Sequence, residues 1–217
     1  MEGLSITNPA VDLGELDYSE SLALQRKLVS ILRKWGKGDV LLFLNHPPVY
    51  TVGRGKNPEN YKSVPVVETE RGGDVTYHGP GQLVVYPIMD LRRDGQLDVR
   101  KYVQLIEDVI IESIGKFGFS GELGQEPGIW VNGSKVASIG MAIRDGIAFH
   151  GFSINISGSS LDGFSRIRAC GLDPSSVSFV PIERNTLMME LLKAASSKFH
   201  RFNWVSKEKF YSIIQGK

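Results

Sequence analysis

Cys170 is the only cysteine of the chain and stands in RIRACGLD, between a small alanine and a glycine and on no apolar stripe. A lone cysteine is by default a small buried hydrophobe. Two features of this one point elsewhere. Gly171 permits an open backbone beside the sulfur, and Arg166 and Arg168 favour the thiolate, which is the nucleophilic form. A thiolate needs a base or a cation, and His46, His78, His150 and Lys135 are the candidates. Lys135 follows the Asn132-Gly133 turn in NGSKVASIG, where an exposed hairpin lysine is the ordinary outcome. If it is buried instead, its ammonium loses hydration and its pKa falls, so that proton exchange with a thiol becomes feasible near neutral pH.

A second constellation is RGGDVTYHGPGQLVVYPI, Arg71 to Ile88, with four glycines, a proline and a histidine ahead of a plain strand pattern. Glycine loses more freedom on folding than any other residue, so the cluster implies an unusual bend or a close approach to the main chain. His78 at its tip is expected to project from a tight turn. His46 in LNHPP and His150 in FHGFSIN each read as ending a hydrophobic strand, so the three histidines are expected to meet at one sheet edge. Backbone N–H groups of Gly79 or Gln82 are candidate oxyanion donors. No metal is predicted, because the four histidines lie far apart in sequence and neither an HExxH nor a CxxC spacing exists. GRGKN and GKGD lack the strand and helix context of a phosphate loop.

The elements that must hold these residues can be read from periodicity. A helix is expected from about Ser19 to Trp35, with Leu24, Leu28, Ile31, Leu32 and Trp35 on one stripe and Gly36 and Gly38 ending it. VLLFLN, YTVG, VPVVET and QLVVYPIMDL read as strands. Asp98 is a helix N-cap, and Asn132-Gly133 and Arg144-Asp145-Gly146 divide the following apolar stretch into a three-stranded meander. A loop from Gly158 to Pro174 carries Cys170. Helices near Asn185–Phe199 and Lys207–Ile214 follow, with FNWV between them. Bunched strands with helices before, between and after them argue for an α+β fold around a mixed, largely antiparallel sheet. One domain over 1–217 is expected, with the helices of about 182–217 a possible small cap.

A formal net charge of +1 gives no reason to expect a nucleic acid or an anionic membrane as partner. One cysteine, no apolar run long enough to span a bilayer and no signal-like N-terminus read as a cytoplasmic protein. From Pro181 to Lys217, seven Lys or Arg face three Glu. A solvated helical face is the ordinary reading, and a dock for an acidic partner is the sharper one.

RGGDVTYHGPGQLVVYPI, with LLFLNHPPVYTVG before it and GIWVNGSKVASIGMAI, FHGFSINIS and RACGLD after it, resembles the lipoyl(octanoyl) transferase family. The similar blocks run in the family's order from about Val40 to Asp173. The resemblance implies a biotin/lipoate protein ligase-like catalytic fold and an acyltransferase that needs no cofactor. It implies octanoyl-acyl carrier protein as donor, and as acceptors the apo lipoyl domains of 2-oxoacid dehydrogenase E2 subunits and the glycine cleavage H protein. It also implies Cys170 as nucleophile, Lys135 as its acid/base partner, and a substrate pocket drawing on Arg71, Gly72, Gly73, Tyr77, His78, Gly79, Gly81, Gln82, Ser138, Ile139, Gly140, His150 and Gly151. Proline often precedes the family's cysteine, and here Ala169 does. Two alternatives stay open at this point: an ATP-dependent lipoate ligase on the same fold, and a non-catalytic lipoyl-domain or acyl-carrier binding protein.

Overall fold

Residues 8–35, 38–93, 98–124 and 126–216 are described by the structure, a computed structural model; Gly36 and the Trp35 side chain lie outside the described part. In chain order the elements are β1 (Pro9–Glu15), α1 (Tyr18–Trp35), β2 (Val40–Asn45), β3 (Val49–Val52), β4 (Val67–Glu68), β5 (Val75–His78), β6 (Gln82–Asp90), α2 (Val99–Gly115), β7 (Glu122–Leu123), β8 (Gly128–Val131), β9 (Ser134–Arg144), β10 (Ile147–Asn155), α3 (Leu161–Phe164), α4 (Arg184–Lys198), β11 (Asn203–Trp204) and α5 (Lys207–Gln215). Among the described residues, eight strands form one sheet in the order β11-β1-β2-β6-β10-β9-β8-β7. The pairs β11–β1 and β1–β2 are parallel and the rest antiparallel. A smaller sheet has the order β4-β3-β5.

The alternation of strand side chains sorts the helices onto two faces. Leu41, Phe43, Leu83 and Val85 point to the face where α2 and α4 pack, through Ile106, Ile110, Leu187 and Leu191. Leu42, Leu44, Val84 and Tyr86 point to the other, where α1 and α5 pack through Leu28, Leu32, Phe210 and Ile214. This is why β2, β6 and β10 read as nearly continuous apolar runs. The C-terminal residues are distributed over the fold: β11 extends the sheet, α4 covers one face and α5 the other. Asp98 caps α2 by accepting the Lys101 N–H at 3.0 Å.

Several expectations are corrected. β1 has no counterpart in the sequence reading, because Gly14 at φ +68 and a register shift between Asp12 and Glu15 break its pattern. Of VPVVET only Val67–Glu68 is strand. The glycine cluster hides β5, whose four residues are all buried, and His78 is its last residue rather than the tip of an exposed turn. His150 lies in the middle of β10 and not at its end. Of the C-terminal basic residues, Lys193 pairs with Glu190, Lys198 with Glu112 and Arg184 with Asp12, which leaves the reading of a solvated face unchanged.

Candidate active site

The second residue of β9 is Lys135, two positions past a turn whose Asn132 and Gly133 both have positive φ, +50° and +76°. Only 4% of it is exposed. Burial pushes its pKa down, and the negative charge of Cys170, acting through space, pushes it back up. The stem of the lysine runs along Gly128, where an added Cβ would lie 2.6 Å from Lys135 Cε and 2.3 Å from the Ala137 carbonyl oxygen. Gly128 is therefore part of the lysine's housing, which the sequence reading missed. Its φ of +141 is closed to side chains. Gly128→Ala is expected to cost about 2–3 kcal/mol, a fall of roughly 4–12 °C in the thermal midpoint, with loss of activity. Scanning calorimetry checks this, and an unchanged midpoint would mean that the stem is not confined there.

Cys170 sits half-buried in the short helical turn Ala169–Gly171, at φ +54, and Gly171 follows at φ +78. The expected open backbone beside the sulfur takes this form, two successive left-handed residues, one of them not a glycine. The cations facing Cys170 differ from those the sequence suggested. Arg166 and Arg168 are exposed, whereas Lys135 and the buried Arg71 are the cations whose pKa values the Cys170 charge raises. The far end of the loop is moored to the lysine itself, since the Ser178 N–H donates to the Lys135 carbonyl at 2.9 Å.

Both groups open onto one cavity of about 840 Å³, within the range of ligand sites that hold a drug-sized molecule. Arg71, Gly72, Gly73, His78, Ser138, Ile139, Gly140, His150 and Gly151 line it. Tyr77, Gly79, Gly81 and Gln82 lie outside its lining. Tyr77 packs with Phe164 and Val75 in a separate apolar cluster. A Cβ on Gly79 would strike the Tyr77 ring, and one on Gly81 would strike Ser157 and Ser159. The Gln82 N–H donates to the Gly79 carbonyl at 3.3 Å and is not free for an oxyanion. The side chain of Gln82 instead orients His78, accepting its Nδ1–H at 3.2 Å while donating to the Tyr77 carbonyl and to Asn155 Oδ1.

The RGG segment is held by main chain. Arg54 and Gly55 donate their N–H groups to the Arg71 and Gly73 carbonyls, and the Gly72 N–H donates to the Met141 carbonyl on β9 at 2.9 Å. A Cβ on Gly53 would approach the Gly73 carbonyl to 2.4 Å. The close approach that the glycine cluster signals is thus, in part, of backbone to backbone. Arg71 donates to Thr51 Oγ1 and carbonyl and to the Gly72 carbonyl.

His46 and His78 meet, with ring centroids 5.8 Å apart. His46 donates Nδ1–H to the Leu16 carbonyl at 2.6 Å and accepts the Tyr86 hydroxyl on Nε2 at 2.8 Å, so it supports the cavity wall from behind. Pro87 of β6 stands opposite His150 in the ladder and has no N–H to offer. There β10 takes a left-handed residue: His150 has φ +59, its N–H goes to Gln25 Oε1 at 2.8 Å, and its ring stacks on that of Phe149 at 4.8 Å. Adjacent strand side chains normally point to opposite faces, so this stacking records the reversal of His150. Its Nε2 has no hydrogen-bond partner among the described residues and lies 3.8 Å from Glu70.

Burial, with His46 and Arg71 nearby, pushes the His78 pKa down to about 3; burial pushes that of His150 to about 4 against the pull of Glu70. Both are neutral imidazoles at neutral pH. Their folded pKa values lie below the unfolded value of about 6.5, so the unfolded chain binds more protons in the interval. Stability from each is complete above about pH 6.5 and is lost, at up to about 1.4 kcal/mol per pH unit, as the pH falls towards 4 and 3. His150→Asn, which tolerates a left-handed φ, is expected to flatten this slope between pH 6 and 4 in urea titrations; an unchanged slope would exclude His150 as its source.

The family model described as "Lipoyl protein ligase A/B catalytic domain" matches residues 17–198. An octanoyltransferase of Geobacter metallireducens is 43% identical over 166 residues, covering 74% of this chain and 76% of the relative. One of Geotalea uraniireducens is 36% identical over 197 residues, 88% and 91% of the two chains. Among solved structures, lipoate-protein ligase A bound with ATP superimposes with a TM-score of 0.74 at 16% identity, over 96% of this chain and 93% of that one. A biotin protein ligase from Aquifex aeolicus in complex with biotin gives 0.50 at 10% identity, over 88% and 70%. These two likenesses concern the fold, which is that of the lipoate and biotin ligases. A buried lysine and a cysteine on one glycine-walled cavity, in a chain with such relatives, lead to one assignment: the chain belongs to the octanoyltransferases of the lipoyl protein ligase A/B catalytic domain family and is an acyltransferase.

Proposed function

We propose that residues 1–217 form one catalytic domain that transfers an octanoyl group from octanoyl-acyl carrier protein to a specific lysine of apo lipoyl domains, in the cytoplasm, through a thioester on Cys170. The acceptors would be 2-oxoacid dehydrogenase E2 subunits and the glycine cleavage H protein. The observation that carries this reading is the buried Lys135, whose depressed pKa suits proton exchange and which feels the charge of Cys170 across the shared cavity.

Lys135 takes the Cys170 proton, and the thiolate attacks the octanoyl carbonyl. The new ammonium faces the oxyanion of the tetrahedral intermediate and, as that collapses, returns the proton to the departing carrier thiol. In the second half the neutral amine of the acceptor lysine attacks acyl-Cys170. An amide forms, Cys170 leaves as thiolate, and Lys135 accepts the proton lost by the attacking nitrogen and passes it to the thiolate, which restores the starting state. Exchange of one thioester for another is nearly isoenergetic and thioester to amide is downhill, so the cycle balances without ATP.

Intact-protein mass after mixing with octanoyl carrier protein in the absence of ATP tests the reading. A gain of one octanoyl group, discharged by apo lipoyl domain, is the expected result. No adduct, with lipoyl-domain modification appearing only on addition of ATP and free octanoate, would replace the transferase by a ligase.

A further inference from the structure

Asp74, in the third position after Arg71, lines the cavity and is only 7% exposed. A buried carboxylate is unfavourable unless its oxygens are hydrogen-bonded. Both are: Oδ1 accepts the Asn57 N–H at 2.9 Å, and Oδ2 accepts the Asn60 side-chain amide at 2.6 Å. These two bonds fix the turn Pro58–Asn60. The Asn60 carbonyl then accepts the Arg168 N–H at 2.9 Å, and Arg168 is the residue from which the Cys170 turn springs, closed by the Gly171 N–H on the Arg168 carbonyl at 2.9 Å. The loop around Cys170 therefore has a mooring on each side, the Asn60 carbonyl before the cysteine and the Lys135 carbonyl after it.

A non-glycine residue at φ +54 is strained, and such a conformation persists only where the surroundings over-determine it. The contacts that hold Ala169 in the neighbouring apolar cluster fix depth but not rotation, whereas a directional N–H to carbonyl bond fixes both. We propose that Asp74 is a positioning residue: through Asn60 and Arg168 it sets the angle at which the Cys170 sulfur enters the cavity. The proposal rests on Cys170 being the nucleophile. It also gives the 57–60 loop, remote from Cys170 in sequence, a part in the first half-reaction.

Misplacement of a reacting group by about 1 Å costs up to about a hundredfold in rate. The test is rapid-quench intact mass of acyl-Cys170 formation from octanoyl carrier protein, with kcat and KM, for wild type, Asp74→Ala, Asn60→Ala, their double variant and Asp74→Asn. Asp74→Ala and Asn60→Ala are each expected to lower the acylation rate by about 10- to 100-fold with KM within about twofold, because only the transition state senses the angle. The double variant is expected to be no slower than Asp74→Ala alone, since both act along one path. Asp74→Asn should recover to within about threefold of wild type, accepting the Asn57 N–H and donating to an Asn60 amide turned over. Should Asp74→Ala fail to fold, Asn60→Ala and Asp74→Asn carry the test. Wild-type acylation by Asn60→Ala, or effects that multiply in the double variant, would overturn the mooring while leaving Cys170 in place as nucleophile. An absent adduct on wild type would overturn the nucleophile and the mooring with it.

Discussion

Cys170→Ser is expected to lower octanoyl transfer by at least about a thousandfold, some 4 kcal/mol of transition-state stabilisation, while the protein stays folded. Sulfur is the better nucleophile, because a thiol gives up its proton to a nearby base far more readily than an alcohol does. A serine hydroxyl in the same place does not ionise, and Lys135, deprotonated or not, is too weak a base to make it do so. The fold should tolerate the change, because the side chain is half-buried in a loop and loses no apolar packing of any size. The measurement is turnover of octanoyl carrier protein with apo lipoyl domain, together with intact mass. Transfer at more than about a tenth of the wild-type rate would remove the covalent intermediate, since binding and orientation alone cannot distinguish sulfur from oxygen at this position.

The parts of the fold that announce themselves in sequence are those where one local signal suffices. Asp98 capping α2, the Asn132-Gly133 turn and the buried runs of β2 and β10 are of this kind. β5 was hidden because its pattern is embedded between glycines that serve its neighbours: Gly73 packs beside Gly53, and Gly79 lies under Tyr77. His150 misled for a related reason. A strand that carries a left-handed residue opposite a proline looks, from its sequence, like a strand that stops. The family motifs brought the cavity-lining residues to notice, but motif membership does not separate the wall from its scaffold, and Tyr77, Gly79, Gly81 and Gln82 belong to the scaffold geometrically. Gly128, Glu70 and Asp74 escaped because their meaning lies in partners distant along the chain: a lysine stem, a histidine reversed out of its strand, and an asparagine in another loop.

Lys135→Met is expected to abolish transfer and stabilise the protein at the same time. Removing a general base costs about 10²- to 10⁴-fold, and the loss here should fall near the upper end because the lysine exchanges a proton in both half-reactions. The stability effect has its own sign. Burial lowers the folded pKa of Lys135 below the unfolded value of about 10.4, so between the two the unfolded chain binds more protons and stability rises with pH. Below the folded pKa the full penalty of burying an ammonium is present. Methionine occupies a similar volume along Gly128 without that charge, so at pH 7 the variant should be more stable by on the order of 1–2 kcal/mol, and the advantage should shrink as the pH is raised towards 10. Urea unfolding at several pH values, alongside turnover, measures both effects. Lys135→Arg separates the lysine's two possible contributions, because arginine keeps the positive charge facing Cys170 but does not give up its proton near neutrality. Residual acylation in Lys135→Arg with none in Lys135→Met would assign the lysine's effect to its charge. Equal loss in both would assign it to proton transfer. A methionine variant less stable than wild type at pH 7 would mean that the pairing of Lys135 with the Cys170 charge outweighs its desolvation.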